Sequence, residues 1–302
     1  MHTEIDGPKK NGASKRNSTW TAIKKNKNAY FLFLPALSLI VLVLAYPIVY
    51  TFYLSTDSFT SLKPFIQTIR NPMLVQSLGK SGIFVAGTIF LHLLIGLILA
   101  LLINTKVPVK GLFQVIILLP WVLNDVTASI LWKWMCNPQV GFLNIALQKL
   151  GLPQYSWLSS PTLAMLIVII ANTWKGVAFA FIFILAGLRS IPQPLYESAR
   201  IDGASGWQAL IKITLPLITP VLLILTIIFS IGTFNLINII LIMTGGGPFN
   251  STNVVALYMY KTAFEFLNFS SGARIAIFLL IVNLLLTVAY FQALKKSTSI
   301  YQ

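Results

Sequence analysis

Long apolar runs separated by short polar segments occupy most of the chain. An apolar run of about 20 residues is long enough to cross a ~30 Å hydrocarbon core as a helix. Because lipid offers no hydrogen-bond partners to an open backbone, such spans are expected to be helical. The pattern predicts six spans, at about 30–53, 81–104, 112–134, 161–187, 215–242 and 272–294. We therefore expect an all-α integral membrane protein.

Composition agrees with a membrane protein. Hydrophobic residues make up 56% of the sequence and the mean hydropathy is +0.80, which argues against a soluble fold. The net charge of +15 would suit a nucleic-acid partner. Lys and Arg also accumulate in the cytoplasmic loops of membrane proteins, however, and we prefer that interpretation. We expect no nucleic-acid partner.

Few residues are suited to metal binding or catalysis. Cys136 is the one cysteine, so no intrachain disulfide can form, and the two histidines, His2 and His92, lie far apart in the sequence. This leaves little material for a metal site or a Ser-His-Asp triad. We expect neither a metal site nor a catalytic residue, and a membrane enzyme is the weakest functional hypothesis.

The distribution of basic residues predicts the orientation. If the N-terminus lies inside, the cytoplasmic segments contain 14 Lys and Arg and the external connections contain seven, with Lys175 left inside a span. Such a bias is typical of a chain with both termini in the cytoplasm. We interpret residues 1–28 as a basic cytoplasmic tail and residues 29–302 as one six-span domain.

A polar stretch at about 189–216 separates the fourth and fifth predicted spans. Pro192 and Pro194 suit the first turn of a helix, where a missing N–H costs little. Gly203 can end that helix, and Ser205 is a suitable N-cap for the next one. The spacing predicts a helix–turn–helix outside the hydrocarbon.

The second helix of this pair is predicted to be short. It extends through Ile213, and Pro216 marks the boundary with the following span.

This stretch resembles a known motif. Glu197-Ser198-Ala199, then Gly203, then Ile213-Thr214-Leu215-Pro216 is similar to the EAA loop of binding-protein-dependent ABC transporter permeases. That pattern is E-A-A, three residues, G, nine residues and I-x-L-P. Every spacing matches, and the one departure is Ser198, which is small enough for a close helix contact.

The resemblance implies that this loop docks on a separate cytoplasmic ATPase. ATP and Mg would be bound by that partner, and no cofactor by this chain. The residues expected at the contact are Tyr196, Glu197, Ser198, Ala199, Arg200, Asp202, Gly203 and Ala204. The alternative is a solvated amphipathic loop without a partner.

Further segments resemble the sugar-transporting branch of these permeases, the maltose and glycerol-phosphate type. They are Leu118–Pro120, Trp132, Gly141–Asn144, Trp174, Ala186–Leu188, Ile191–Pro192 and Thr244–Pro248. Tyr46-Pro47 and the Gly-Gly-Gly-Pro turn resemble the first of the two permease subunits in such systems. The implied fold is the type I ABC importer permease (MetI-like) fold, in a bacterial-type cell (inner) membrane.

The resemblance also implies partners. These are a second homologous permease subunit, a cytoplasmic ABC ATPase dimer, an extracellular or periplasmic solute-binding protein, and the surrounding membrane lipid.

The fourth span contains the first candidate substrate site. Asn172, Lys175, Gly176 and Phe179 are spaced i, i+3, i+4 and i+7, which places them on one helix face. A lysine inside a span is costly unless it faces water or a partner, so it is a candidate functional residue. An amide, a cation and an aromatic ring together suit a sugar. In the alternative, Lys175 pairs with Asp125 as a structural contact and Asn172 bonds across helices.

The fifth and third spans supply further candidates. In the fifth, the resemblance favours the stretch from Phe229 to Asn235, with Thr233 in it, although Ser and Thr in spans are often packing residues. In the third, Asn124 and Asp125 form a polar pair. Asp125 could be a proton or ion relay, a sugar-hydroxyl acceptor or a partner for Lys175, and we rank the ion pair first.

Thr226, Ser230 and Thr233 share one face of the fifth span, whereas Asn235 and Asn238 lie on another. The pattern alone does not decide which face is toward a cavity.

Thr244–Asn250 is glycine-rich but lacks the Gly-Lys-Ser/Thr ending of a phosphate-binding loop. It follows a span rather than a strand. We expect an external turn that contacts the solute-binding protein.

These observations predict a permease subunit of an ATP-driven ABC importer, which translocates a sugar, oligosaccharide or related polyol by alternating access. The alternative is a gradient-driven secondary transporter with Asp125 and Lys175 as an ion or proton relay.

Overall fold

A computed structural model describes residues 27–56, 63–105 and 110–298, with side chains described between residues 32 and 292. The α-helices in these ranges are α1 Lys27–Ile40, α2 Tyr46–Ser55, α3 Lys63–Ile69, α4 Pro72–Asn104, α5 Lys110–Val122, α6 Asp125–Met135, α7 Phe142–Lys149, α8 Pro161–Arg189, α9 Gln193–Ile201, α10 Gly206–Ala209, α11 Leu215–Phe234, α12 Asn238–Met243, α13 Val255–Tyr260 and α14 Phe269–Thr298. Three π-helical turns join neighbouring helices, at Val41–Ala45, Leu210–Thr214 and Lys261–Glu265.

The chain divides into two compact units, residues 1–53 and 54–302. The first unit contains the first predicted span, which the structure confirms as an apolar helical run over Leu32–Ser55 with one π-helical turn. The predicted basic tail, residues 1–28, lies almost wholly outside the described residues. Residues 106–109, between the second and third predicted spans, also lie outside them.

The second predicted span begins earlier than its apolar run indicates. Helix α4 starts at Pro72, not near residue 81. Asn71 caps it, because its side-chain oxygen accepts a hydrogen bond from the Met73 N–H at 2.8 Å. Asn followed by Pro at the first helical position is a strong helix start. The polar residues after Pro72 therefore extend the helix rather than form a connection.

Helices α4 and α8 form the centre of the second unit and run parallel to each other. A Cβ at Gly87 would meet Ile169 at 3.0 Å, and one at Gly96 would lie 2.8 Å from the Ala180 Cβ. The small residue at 96 thus permits close approach of the two backbones. Helix α11 packs against both helices, and α14 packs against α11.

The third predicted span is not one continuous helix, so that prediction is wrong in detail. Helices α5 and α6 meet at an angle of 99°. The break follows Pro120, and the Asn124 side chain caps α6 by accepting from the Val126 N–H at 2.9 Å. Asparagine prefers a cap to a helix interior, which explains why the helix restarts here.

The fifth predicted span also differs from expectation at both ends. One helical run extends from Gly206 to Phe234, so the predicted boundary at Pro216 is absent. Proline crowds the preceding turn of a helix. The wide π-helical turn at Leu210–Thr214 lies directly before Pro216 and accommodates it.

The same run ends at Phe234 instead of near residue 242. The chain breaks at Asn235 and resumes as the short helix α12, which packs against α6. The Lys133 ammonium donates to the Ile242 carbonyl oxygen at 3.1 Å and joins these two helices.

The fourth and sixth predicted spans are confirmed as α8 and α14, the latter beginning three residues earlier than expected. Five described helical runs are long and apolar enough to cross a membrane, and the bent pair α5–α6 makes up to six. The all-helical, multi-span prediction is thus confirmed for the described residues.

Candidate functional site

A cavity of about 290 Å³ opens beside the middle of α8. Helices α4, α5, α8 and α11 and the first residue of α6 surround it. Its lining residues are His92, Trp121, Asp125, Asn172, Lys175, Gly176, Phe179, Ile228, Phe229, Gly232, Thr233 and Leu236. This volume lies near the lower end of the range of small-molecule sites, about 300–1,000 Å³.

Helix α8 contributes one face to the cavity. The four residues that the sequence placed on that face, Asn172, Lys175, Gly176 and Phe179, all line it. Helical periodicity alone brings them together, because residues three, four and seven apart project from the same side. The remainder of α8 packs in the core, with Phe181 and Ile184 almost fully buried.

Aromatic rings form one wall of the cavity. The Phe179 ring centroid lies 6.3 Å from that of Trp121 and 5.9 Å from that of Phe229, with a near-perpendicular arrangement in the second pair. Such rings offer a flat apolar surface for the C–H face of a ligand, while Asn172 and Thr233 supply hydrogen-bonding groups.

Lys175 and Asp125 form an ion pair at the edge of the cavity. The side chains are 21% and 25% exposed, respectively. The other carboxylate oxygen of Asp125 accepts from the Asn238 side-chain amide at 3.4 Å. Asp125 therefore joins three elements, α6, α8 and α12, where the third and fifth spans break.

The structure adds His92, which sequence reasoning considered only as a metal ligand. His92 is 2% exposed, its ring lies 4.3 Å from that of Phe229, and its Nε2 is 3.2 Å from the Asn172 carbonyl oxygen. Its Nδ1 is buried without a hydrogen-bond partner among the described residues.

A sequence signal for His92 does exist. A stripe of small and polar residues follows one buried face of α4. Its members are Ser77, Ser81, Thr88, His92, Gly96 and Ala100, and the large Phe84 lies between Ser81 and Thr88 on the same face. Spacing of three or four residues marks a face that packs against another helix.

Two predicted substrate residues lie outside the cavity. Asn124 is exposed, and its side chain caps α6. The Asn235 side chain exchanges hydrogen bonds with Asn283 of α14, at 3.1 and 3.4 Å. Both asparagines stand at span breaks, where their side chains meet local backbone or a neighbouring helix instead of the cavity.

In the fifth span, Thr233 lines the cavity together with Phe229 and Gly232, whereas Thr226 and Ser230, which were predicted to share its face, do not. Ser230 instead hydrogen-bonds with the Tyr290 hydroxyl at 2.6 Å and with the Thr226 carbonyl oxygen at 2.7 Å. These two contacts are packing interactions between and within helices.

The predicted docking segment forms a helix, a turn and a second helix start. Helix α9 spans Gln193–Ile201, and Gly203 follows with a φ of +78°, a conformation that favours glycine. Ser205 and Gln208 complete a capping box at the start of α10. Helix α8 ends at Arg189, directly before the segment. The segment therefore lies at the C-terminal end of α8, which is the end remote from α3 and α13.

The predicted docking residues divide into two sets. Five are exposed, namely Glu197, Ser198, Arg200, Asp202 and Gly203. Tyr196, Ala199 and Ala204 are partly buried and line a groove toward the rest of the chain. The Tyr196 hydroxyl lies 2.9 Å from the Thr214 hydroxyl, so this residue connects α9 to the π-helical turn at the base of α11.

The predicted glycine-rich turn lies beyond α12. Gly245 and Gly246 have φ values of +58° and +88°, and the Lys261 ammonium donates to the Gly245 carbonyl oxygen at 2.5 Å. The Thr244 and Thr252 hydroxyls close the turn at 2.7 Å. Phe249, at its tip, is 92% exposed.

The described residues contain no group of three or more His, Cys, Asp or Glu side chains placed to hold a metal ion.

Comparison with known proteins places these features in a family. Residues 92–297 match the sequence profile described as "binding-protein-dependent transport system inner membrane component". A probable ABC transporter permease protein of Pyrococcus horikoshii is 36% identical over 268 residues, which cover 85% of this chain and 92% of the relative. The trehalose/maltose transport system permease protein of Thermococcus litoralis is 32% identical, over 89% of this chain and 94% of the relative.

A solved structure has the same fold. A chain of a bacterial alginate ABC transporter, in complex with a periplasmic protein that holds an alginate pentasaccharide, superposes with a TM-score of 0.79. It is 25% identical and the match covers 90% of this chain and 95% of that chain.

Proposed function

The chain belongs to the family of inner membrane components of binding-protein-dependent transport systems, and from this premise we propose that it carries a sugar through the cavity beside α8. Family membership makes it a multi-pass inner-membrane permease subunit of an ABC importer with the MetI-like fold. ATP hydrolysis belongs to a separate subunit. The gradient-driven alternative is set aside, since the relatives are ABC permeases.

The composition of the cavity is the observation that supports a sugar. Phe179, Phe229 and Trp121 present aromatic surface, and Asn172 and Thr233 present neutral donors and acceptors. Sugars have apolar C–H faces and a rim of hydroxyl groups, so both kinds of surface are needed. The relative from Thermococcus, named for trehalose and maltose, supports the same class.

The docking segment is the proposed contact with the ATPase. Glu197 and Arg200 are exposed on the short helix α9, and Asp202 is exposed directly after its end. A groove on a partner can hold a short helix with such exposed charges. Tyr196 and Thr214 would transmit the movement of α9 to α11, which lines the cavity further along. The segment and both termini would then lie in the cytoplasm, as the distribution of Lys and Arg indicates.

The proposed transporter contains further subunits. A second homologous permease would complete the pathway, two ATPase copies would dock below the pair, and a solute-binding protein would deliver the sugar to the side of the glycine-rich turn. Closure of the ATPases would rock the permease pair between inward- and outward-facing states. ATP and Mg would be bound on the ATPases only.

Uptake in whole cells tests this proposal. A strain lacking this gene is expected to lose uptake of one member of a panel of radiolabelled sugars, and the wild-type gene is expected to restore it. Glu197→Ala should fail to restore it, whereas Glu265→Ala, which alters an exposed Glu at the opposite end of the bundle, should succeed. Unchanged uptake of every sugar in the deletion strain would contradict the proposal.

A further inference from the structure

We propose that the transported sugar is electrically neutral, because the one Lys or Arg among the described residues that line the cavity is already paired with Asp125. This inference rests on the proposed function and narrows its substrate class. Sugar importers can serve either neutral sugars or sugar acids and phosphates. The charges of the residues that line the cavity favour one of these two substrate classes over the other.

The charges that line the cavity cancel. Among its described lining residues, Lys175 is the one Lys or Arg and Asp125 is the one Asp or Glu, and they form an ion pair with each other. An anion taken from water into a partly enclosed site needs a cation to offset its lost hydration. An anionic ligand would have to displace Asp125 to have Lys175 as its own counter-ion.

Asp125 is held in place from several sides, which opposes that displacement. It is the first residue of α6, where a negative charge is favoured by the helix dipole. Its second carboxylate oxygen accepts from the Asn238 amide at 3.4 Å. A ligand that removed Lys175 would leave the Asp125 carboxylate without its counter-ion and only 25% exposed.

A neutral ligand meets no such conflict. Hydroxyl groups can donate to the carboxylate lone pairs of Asp125 that Lys175 does not use, and they can accept from the remaining N–H groups of Lys175. The ion pair stays intact in both cases. The remaining polar lining residues, Asn172, Thr233 and His92, can also bond with hydroxyls. The ion pair then offers hydroxyl groups a donor at Lys175 and an acceptor at Asp125, and it does not act as a binding site for an anion.

The fold itself does not set the ligand charge. The Thermococcus relative is named for trehalose and maltose, and the structurally similar chain belongs to an alginate transporter. Lys175 and Asp125 are therefore the residues to vary in a test of charge selectivity.

The test compares a neutral disaccharide with its phosphate ester, which adds a negative charge and one phosphoryl group, and uses variants of the ion pair to separate the effect of charge from that of size. The complete transporter, with its second permease and ATPases in nanodiscs, is titrated with trehalose and with trehalose 6-phosphate by ligand-observed NMR. We expect the wild type to bind trehalose at least about tenfold more tightly. Asp125→Asn frees the Lys175 cation and should reverse this preference.

Two further variants keep the test decisive if Asp125→Asn folds poorly. Asp125→Asn combined with Lys175→Gln restores a neutral cavity and should keep the preference for trehalose. Lys133→Gln alters a cation of α6 outside the cavity lining and should leave the preference unchanged.

Tighter or equal binding of trehalose 6-phosphate by the wild type overturns this inference but leaves sugar transport intact. Failure of the proposed function is a different result, namely unchanged uptake of every sugar of the panel by the deletion strain.

Discussion

The contact between His92 and Gly176 shows how one residue pair shapes the cavity wall. A Cβ at position 176 would lie 2.3 Å from the His92 Nε2, far inside van der Waals contact. The absence of a side chain at Gly176 therefore lets the imidazole reach the Asn172 carbonyl oxygen and pack on Phe229.

Gly176→Ala is expected to be harmful at this position. The added methyl must push His92 away from its carbonyl partner, and overpacking of this kind costs about 1–3 kcal/mol. We expect a lower Tm for the purified transporter and at least about a tenfold loss of sugar uptake. Gly82→Ala is the control, because a Cβ there meets nothing within 4 Å. If the two variants are equally stable and active, the described contact is wrong.

Sequence reasoning at the residue scale succeeded where contacts follow from one helix. The four residues of α8 line the cavity as their spacing predicts. His92 was missed because its role depends on the packing of α4 against α8, residues far apart in sequence. Asn124 and Asn235 do not line the described cavity, because their side chains bond with the start of α6 and with Asn283.

At the scale of elements, the main finding is that two spans break where the cavity lies. Helices α5 and α6 meet at 99°, and α11 ends at Phe234 before α12 begins. Hydropathy reports how apolar a run is but not the direction of its backbone, so it predicted six runs without the breaks. Asn124 and Pro120 are the local signals of the first break, and Asn235 is that of the second.

The link between α9 and α11 gives a second prediction. Tyr196→Phe removes the hydroxyl that bonds with Thr214 but keeps the ring and the exposed face of α9. Loss of one such bond is worth about 0.5–1.5 kcal/mol. We expect the basal ATPase activity of the complex to persist, whereas the sugar transported per ATP falls about two- to tenfold.

The matched variant is Tyr155→Phe, in the connection at the other end of the bundle. It should leave the ratio of transport to hydrolysis unchanged. An equally unchanged ratio for Tyr196→Phe would mean that α9 acts on α11 through other contacts.

At the scale of the whole molecule, one helix, α8, connects the docking segment at its C-terminal end to the cavity beside its middle. The docking segment follows its C-terminus at Arg189, and its N-terminus at Pro161 follows the connection that starts after α6. The cavity lies between these ends. The sequence predicted the order of these parts along the chain, because the spacing of motifs and the number of apolar runs do not depend on tertiary contacts.

Cysteine labelling can establish which end is cytoplasmic. Cys136 is 1% exposed and can be replaced by Ser to give a cysteine-free background. In that background, Phe249→Cys should react with a membrane-impermeant maleimide added to whole cells from which any outer membrane has been removed. Glu197→Cys should react only in inside-out vesicles. The reverse labelling pattern would place the docking segment outside and contradict its proposed role.

The measurement that tests the central claim most directly is the energy source of sugar uptake. Proteoliposomes with the complete transporter and its solute-binding protein are supplied with the radiolabelled sugar that the uptake panel identifies. One set has ATP on the docking-segment side, and the other has ADP plus an imposed proton or sodium gradient. We expect uptake with ATP alone, and its loss in Glu197→Ala. Uptake that follows the imposed gradient without ATP would contradict the account.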